Sequence, residues 1–209
     1  MPITRLVSFF TSLAVAFALL TAPQPAAAEN GQASAIVSAF YATLLTTMKD
    51  GPKLKFAGRF ERLTPAMAAA FDLPGMARIA AGAHWPNIKP EEQQKLVESF
   101  SRFSVASYAA NFDGWSGESF EVLKESPAPG SGNAIIVETK LVPKGDDPVQ
   151  LNYLLRPTAS GLRIIDVFVN GTISQLAARR SEFASVLARD GAKGLNEMLE
   201  KRLKDLASK

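Results

Sequence analysis

The sequence predicts a single α+β domain in which helices pack on a curved antiparallel sheet of about four strands. Three observations indicate this fold. Residues 33–112 carry apolar side chains at helical spacing, residues 118–169 alternate with the two-residue period of strands, and residues 172–206 return to helical spacing. Strands joined by short turns favour an antiparallel meander, which amphipathic helices can cover.

The first 28 residues have the pattern of a secretory signal peptide. Arg5 precedes the apolar run 6–20, and three alanines ending at Ala28 offer small residues at a cleavage site. The run is shorter than the roughly 20 apolar residues that a membrane span needs. We therefore expect export and cleavage after Ala28, with residues 29–209 forming the domain; a retained N-terminal anchor is the alternative.

The composition excludes several kinds of site. The chain has 23 basic and 20 acidic side chains, a balance that does not indicate a nucleic-acid partner. It contains no cysteine, which excludes thiol chemistry and cysteine–zinc sites, and its fold must hold without disulfides. The single histidine, His84, excludes a multi-histidine metal centre. We expect neither a metal nor a cofactor.

Three long segments of the N-terminal half have helical periodicity. Residues 33–48 carry a broad apolar stripe, which predicts a core-facing helix that ends at Gly51. Residues 53–63 predict a second, more basic helix. The longest helix is expected from Pro90 to about residue 112. Large aromatic side chains alternate there with serine and alanine, so this helix either packs closely on another element or leaves room beside it.

Two shorter helices are predicted between these segments. Thr64 and Pro65 resemble an N-cap followed by proline at the first helical position, which predicts a helix over residues 65–71. Asp72 can cap the next helix, which runs to about residue 83. The tripeptide that begins at His84 ends this helix, because the residue before a proline avoids the helical conformation.

The second half of the chain changes to strand periodicity. Four strands are predicted, at residues 118–124, 134–142, 151–156 and 162–169. The last of them is apolar on nearly both faces, which is typical of a strand inside a sheet. Asn170 or Thr172 can cap the helix that follows, and Gly191 divides this C-terminal segment into two helices.

Candidate catalytic groups are few. His84 could act as a general base with Asp72 or Asp166 to orient it, but a histidine at a helix end is more often a surface or capping residue. Asp166 stands in a strand otherwise made of apolar residues. It is either a buried catalytic carboxyl group or a structural acid paired with an arginine such as Arg163 or Arg180.

Two basic segments could contact anionic groups. Residues 179–182, Arg-Arg-Ser-Glu, could hold a phosphate headgroup through a guanidinium fork, or form a solvated helix face. Basic residues over 193–209 are mixed with acidic ones, which indicates either a solvated face or a surface that docks on a membrane or a membrane transporter.

Three segments of the chain, residues 75–85, 89–123 and 151–199, resemble the MlaC family of periplasmic lipid carriers, also called the toluene-tolerance substrate-binding family. The similarity covers nearly all of residues 29–209, and the branch of the family is indicated by the shorter segments FDLPGMARIA, YAANFDGWSGE and DVFVNGTISQLAARRSEF. These segments are closest to the HpnM branch, which is associated with hopanoid loci.

The resemblance implies a mixed α/β domain related to the NTF2-like fold, with a lipid held between the curved sheet and the helices. It also implies a periplasmic carrier, without catalytic residues, that shuttles a phospholipid or a hopanoid between membranes. The implied partners are an inner-membrane ABC transporter and, as a further candidate, an outer-membrane complex. We expect the carrier to be a monomer.

From face and size, the expected lipid-binding wall consists of Phe71, Leu73, Met76, Ile79, Phe100, Phe103, Tyr108, Phe112, Val137, Tyr153, Leu155, Val167 and Val169. The alternative function is that of a small NTF2-like enzyme acting on an apolar substrate, which needs Asp166 or His84 at the floor of the cavity.

Overall fold

The computed structural model describes residues 31–208, so the predicted signal peptide lies outside the described residues. The helices are α1 (Gln32–Lys49), α2 (Gly51–Ala70), α3 (Leu73–Ala81), α4 (Pro90–Asn111) and α5 (Gln175–Ala207), and a 3-10 helix (Gly82–Asn87) joins α3 to α4. The strands are β1 (Ser119–Pro127), β2 (Ile135–Val142), β3 (Val149–Thr158), β4 (Gly161–Val169) and β5 (Ile173–Ser174).

The five strands form one antiparallel sheet in the order β1-β2-β3-β4-β5. The pairing shifts register between Val122 and Lys124 in β1 and between Leu154 and Leu155 in β3. Such irregularities bend strands and increase their twist, which gives the sheet its curvature. The predicted α+β domain with a curved antiparallel sheet is therefore confirmed, with β5 as a short fifth strand.

The core lies between the concave sheet and the helices. Helix α1 places Val37, Phe40 and Leu44 in it, all almost fully buried, and α4 packs extensively along α5. Tyr153 of β3 and Phe183 of α5 are the largest fully buried side chains. Within residues 31–208, no helix has both the length and the apolar composition to cross a bilayer.

The predicted helix boundary at Thr64 and Pro65 is wrong, because α2 continues through both residues to Ala70. Pro65 is exposed, while Leu63 and Met67 on either side of it are buried. The Thr64 hydroxyl donates to the Phe60 carbonyl at 2.8 Å, as serine and threonine often do inside helices. Burial of the apolar face outweighs the hydrogen bond that proline cannot donate.

The predicted caps at Asn170 and Thr172 are also wrong. Asn170 and Gly171 both have positive φ, 53° and 74°, and form the tight turn of a hairpin between β4 and β5. Helix α5 begins three residues after Thr172 and is capped by Ser174, whose Oγ accepts from the Ala177 amide at 2.8 Å. The Asn-Gly pair is itself the sequence signal for this hairpin.

Other boundaries agree more closely with the sequence. Asp72 caps α3, accepting from the Gly75 amide at 3.0 Å as predicted. Gly191 interrupts α5 with φ 66° and ψ −168°, which confirms the predicted break as a kink. Strands β1 and β3 extend to Pro127 and Thr158, beyond their predicted ends.

A buried arginine that the sequence pattern did not identify fixes the start of α2 against the end of α4. Arg59 Nε donates to the Ala109 carbonyl at 2.7 Å, and its Nη1 donates to the Gly51 carbonyl at 3.1 Å. At Gly51, a Cβ atom would lie 2.0 Å from the Asp113 carbonyl oxygen. The close approach of the two segments at this point therefore requires glycine.

Candidate functional site

A cavity of about 250 Å³ lies between the inner face of β3 and β4 and helices α2, α3, α4 and α5. Its wall is mainly apolar and aromatic. Ten of the thirteen residues predicted from the sequence line it: Phe71, Leu73, Met76, Phe100, Phe103, Tyr108, Phe112, Tyr153, Val167 and Val169. A continuous apolar wall of this kind suits a hydrocarbon ligand.

The other three predicted residues lie elsewhere. Val137 and Leu155 are fully buried in the packed core and do not reach the cavity. Ile79 is 37% exposed on α3. Alternation along a strand gives the face of a side chain, but the position along the strand decides whether that face meets solid core or open space.

Eight further residues line the cavity: Met67, Ser104, Ser107, Asn111, Leu151, Gln175, Leu176 and Arg179. Ser104, Ser107 and Asn111 continue, at helical spacing, the face of α4 that carries Phe100 and Phe103. Because serine is small, it leaves space between the aromatic side chains. Of the two alternatives predicted for this helix, close packing on another element or room beside it, this face of α4 shows the second.

The mouth of the cavity is polar. Asn111 and Gln175 are exposed at the end of α4 and the start of α5, and Arg179 is partly exposed one turn further along α5. The Arg179 guanidinium lies 4.8 Å from the centre of the Phe103 ring, a distance typical of cation–π contact. Apolar depth and a polar rim give the cavity an amphipathic character.

The three tyrosines of the chain meet beside the cavity. Tyr41 packs edge-on against Tyr153, with ring centres 5.6 Å apart. Thr139 donates its only hydroxyl hydrogen to the Leu151 carbonyl at 2.6 Å, so the Tyr41 hydroxyl must be the donor in its 2.6 Å bond to Thr139.

Burial raises the pKa of Tyr41 to about 12. Burial also raises the pKa of Tyr108 and of Tyr153, and the charge of a neighbouring phenolate, that of Tyr41 for Tyr108 and that of Tyr108 for Tyr153, adds to each shift. All three phenols are therefore neutral at physiological pH, and this wall of the cavity carries no charge.

Asp166 has a structural role at the start of α5. Its Oδ1 accepts from the Leu176 amide at 3.0 Å and from its neighbour Val167 at 2.7 Å, and its Oδ2 accepts from the Ser174 hydroxyl. The predicted arginine partner is therefore wrong, since backbone amides and a hydroxyl satisfy this carboxyl group. Asp166 ties the first turn of α5 to β4.

Neither candidate catalytic residue reaches the cavity. Asp166 and His84 are both absent from its lining, and His84 lies in the 3-10 helix. In the described part of the chain, no group of three or more acidic or histidine side chains is arranged to hold a metal ion. Among residues 31–208, the side chains that line the cavity include no histidine and no carboxylate.

A second, larger groove of about 610 Å³ adjoins the cavity. Residues of α2, α4 and the turn between β3 and β4 line it, and it shares Phe71 and Leu73 with the cavity. These two side chains separate the two spaces. The Phe71 ring is held edge-on by Phe40 and Tyr108, with centres 5.1 and 5.9 Å away.

The basic C-terminal end of α5 is a surface of local ion pairs. Lys193 pairs with Glu197 at 3.8 Å and Lys201 with Asp205 at 3.3 Å, each four residues apart and exposed. Such pairs contribute little to stability and are typical of a solvated helix face.

Comparison with known proteins relates these features to a protein family and to solved structures. The MlaC protein family model matches residues 38–201. The solved structure of a phospholipid-binding protein from Ralstonia solanacearum, in complex with a phospholipid, superposes with a TM-score of 0.72 at 23% sequence identity, over 84% of this chain and 98% of that chain. None of the curated proteins compared matches significantly. At this identity the structural match establishes a shared fold.

Proposed function

Since the chain belongs to the MlaC family, we propose that it is a lipid carrier of the periplasm that moves a phospholipid or a hopanoid between membranes. In this proposal residues 1–28 direct export and are removed. The carrier works as a monomer and exchanges lipid with an inner-membrane transporter, with an outer-membrane complex as a further candidate partner. The resemblance to the HpnM branch supports a hopanoid as one of the two ligand classes.

The observation that carries this proposal is the solvent-open apolar cavity between sheet and helices. Each methylene group moved from water into such a space contributes roughly 0.8 kcal/mol. The neutral tyrosines leave that side of the interior without a charge that would repel hydrocarbon. The related Ralstonia solanacearum fold in complex with a phospholipid supports the same kind of ligand.

The volume of the cavity sets how a lipid can enter. At about 250 Å³ it is slightly smaller than the roughly 300–1,000 Å³ typical of ligand sites, so it takes part of one hydrocarbon chain as it stands. A two-chain lipid then needs the neighbouring groove of about 610 Å³ or a widening of the gap between sheet and helices. We propose that a two-chain lipid binds by widening the gap between the sheet and the helices.

Mass analysis of lipid extracted from protein purified out of the periplasm tests the proposal. We expect about one lipid per chain in the wild type and much less in Ser107→Phe, whose ring would occupy the cavity beside Tyr108. Gln94→Phe, on an exposed position of the same helix, is the matched control and should retain its lipid. Wild-type protein that is empty in every preparation, and that takes up no lipid from vesicles, would exclude the carrier function.

A further inference from the structure

We infer that Arg179, with Asn111 and Gln175, forms a site at the cavity mouth that binds the anionic phosphodiester of a lipid headgroup. This inference rests on the proposed function and narrows its ligand to a phospholipid. The observations that support it are the position of Arg179, its excess charge and the hydrogen-bond donors around it.

Arg179 is positioned at the boundary between apolar wall and solvent. It lines the cavity, and its side chain is 37% exposed, so the guanidinium is accessible to a ligand. Stacking at 4.8 Å over the Phe103 ring holds the guanidinium plane at the rim. A lipid whose chains lie against Phe103 therefore brings its headgroup to Arg179.

The charge at this rim is not cancelled within the protein. Glu182 is shared between two arginines, pairing closely with Arg202 through Oε1 and with Arg179 at 3.3 Å through Oε2. Burial opposes ionisation of Glu182, but the hydrogen bond and charge of Arg202, followed by those of Arg179, lower its pKa. Two arginines against one carboxylate leave one positive charge, and Arg179 is the member that faces the cavity.

The hydrogen-bond donors that remain available at the mouth of the cavity are side-chain groups and not the backbone amides at the start of α5. Asp166 and Ser174 already accept from the first amides of α5, so the helix terminus is occupied. Ser104 and Ser107 donate their hydroxyl hydrogens to the Phe100 and Phe103 carbonyls, at 2.8 and 2.9 Å. Neither serine can then donate to a ligand.

Arg179 uses one of its five N–H groups in a long bond to Glu182. Asn111 lines the same cavity and is exposed. A phosphodiester presents two anionic oxygens, which match the fork of a guanidinium. A neutral fused-ring lipid has no such group. The chemistry of the mouth therefore favours a phospholipid over a neutral lipid.

The test measures binding of two lipids with identical acyl chains to delipidated protein, phosphatidylglycerol and diacylglycerol, in the wild type and in Arg179→Gln. We expect the wild type to prefer phosphatidylglycerol by about ten-fold or more, the size typical of a charge-assisted bond. Arg179→Gln should lose this preference while still binding diacylglycerol. Arg180→Gln is the matched control, because Arg180 is adjacent, exposed and outside the cavity lining, and it should keep the preference.

Arg179→Lys separates charge from shape, since it keeps the charge without the fork and should retain only part of the preference. Equal binding of the two lipids by the wild type, or an unchanged preference in Arg179→Gln, would overturn the headgroup site while leaving the carrier intact. A wild type that binds neither lipid would instead overturn the proposed function. Binding of inorganic phosphate alone, dependent on Arg179, would reassign the site to a free anion.

Discussion

Asp166 illustrates how an acidic side chain in an apolar strand can serve the fold. Asp166 is only 7% exposed, and its carboxyl group accepts hydrogen bonds from two backbone amides and from Ser174. These bonds hold the first turn of α5, which carries Gln175, Leu176 and Arg179 to the cavity. Asp166 thus positions the mouth of the cavity without lining the cavity itself.

Replacement of Asp166 by alanine should destabilise the protein by about 3 kcal/mol, because the buried Leu176 amide and the partly buried Val167 amide both lose their acceptor. Asp166→Asn keeps one oxygen for those amides and should cost about 1 kcal/mol. Urea denaturation measures both values, with Asp146→Asn in an exposed turn as the control. An Asp166→Asn protein of wild-type stability that has lost a catalysed reaction would contradict the structural role.

The residues of the cavity wall differ in how far the sequence could identify them. Phe100, Phe103 and Tyr108 are large and apolar, so helical spacing alone places them on one buried face. Ser107 and Arg179 reach the same cavity, but polar side chains at that spacing usually indicate solvent. Only the packing of α5 against α4 brings Arg179 over Phe103, and such a tertiary contact has no local signal.

At the scale of elements, two kinks use the same unusual backbone conformation. Gly191 in α5 has φ 66° and ψ −168°, and Lys55 in α2 has φ 54° and ψ −174°. This region is essentially restricted to glycine and costs other residues about 1–3 kcal/mol. The kink in α5 is at a glycine, which adopts this conformation without strain. The kink in α2 is at a lysine, which is strained there.

The two kinks therefore predict opposite effects of substitution. Gly191→Ala should destabilise the protein by about 1–3 kcal/mol, because alanine is strained at that backbone geometry. Lys55→Gly should stabilise it by up to about 1–2 kcal/mol, since strain is relieved at the lesser cost of glycine's entropy. Thermal unfolding compares both variants with the wild type. A stabilising Gly191→Ala would show that α5 is straight in solution.

Helix boundaries were predictable where a local interaction decides them. Asp72 caps α3 through its own side chain, and Gly191 breaks α5 through its own backbone freedom. Pro65 and Thr172 gave wrong helix starts. Tertiary packing extends α2 through Pro65, and the hairpin between β4 and β5 makes α5 begin after Thr172. A proline therefore indicates a helix start only when no buried face continues across it.

At the scale of the whole molecule, the buried tyrosines link stability to pH. The pKa of Tyr41 is raised to about 12, and those of Tyr108 and Tyr153 are raised as well, whereas a tyrosine in an unfolded chain titrates near pH 10. Above pH 10 the unfolded state therefore binds fewer protons than the folded state. Stability is fully present below pH 10 and is lost as pH rises through the folded pKa values.

Alkaline titration followed by near-ultraviolet phenolate absorbance tests this linkage. We expect the folded protein to show little phenolate just above pH 10, and then a cooperative rise that coincides with loss of circular dichroism. In urea the three tyrosines should titrate together near pH 10. Phenolate that appears near pH 10 while the fold remains intact would show that these hydroxyls reach water.

Phe71 and Leu73 stand between two hollow regions, and their backbone is fastened to the sheet, since the Asp72 amide donates to the Ile164 carbonyl at 2.9 Å. The same segment is also joined to α2, because the Phe71 amide donates to the Met67 carbonyl at 2.8 Å. Smaller side chains at these two positions should therefore merge the two hollow regions into one continuous space, because Phe71 and Leu73 line both of them.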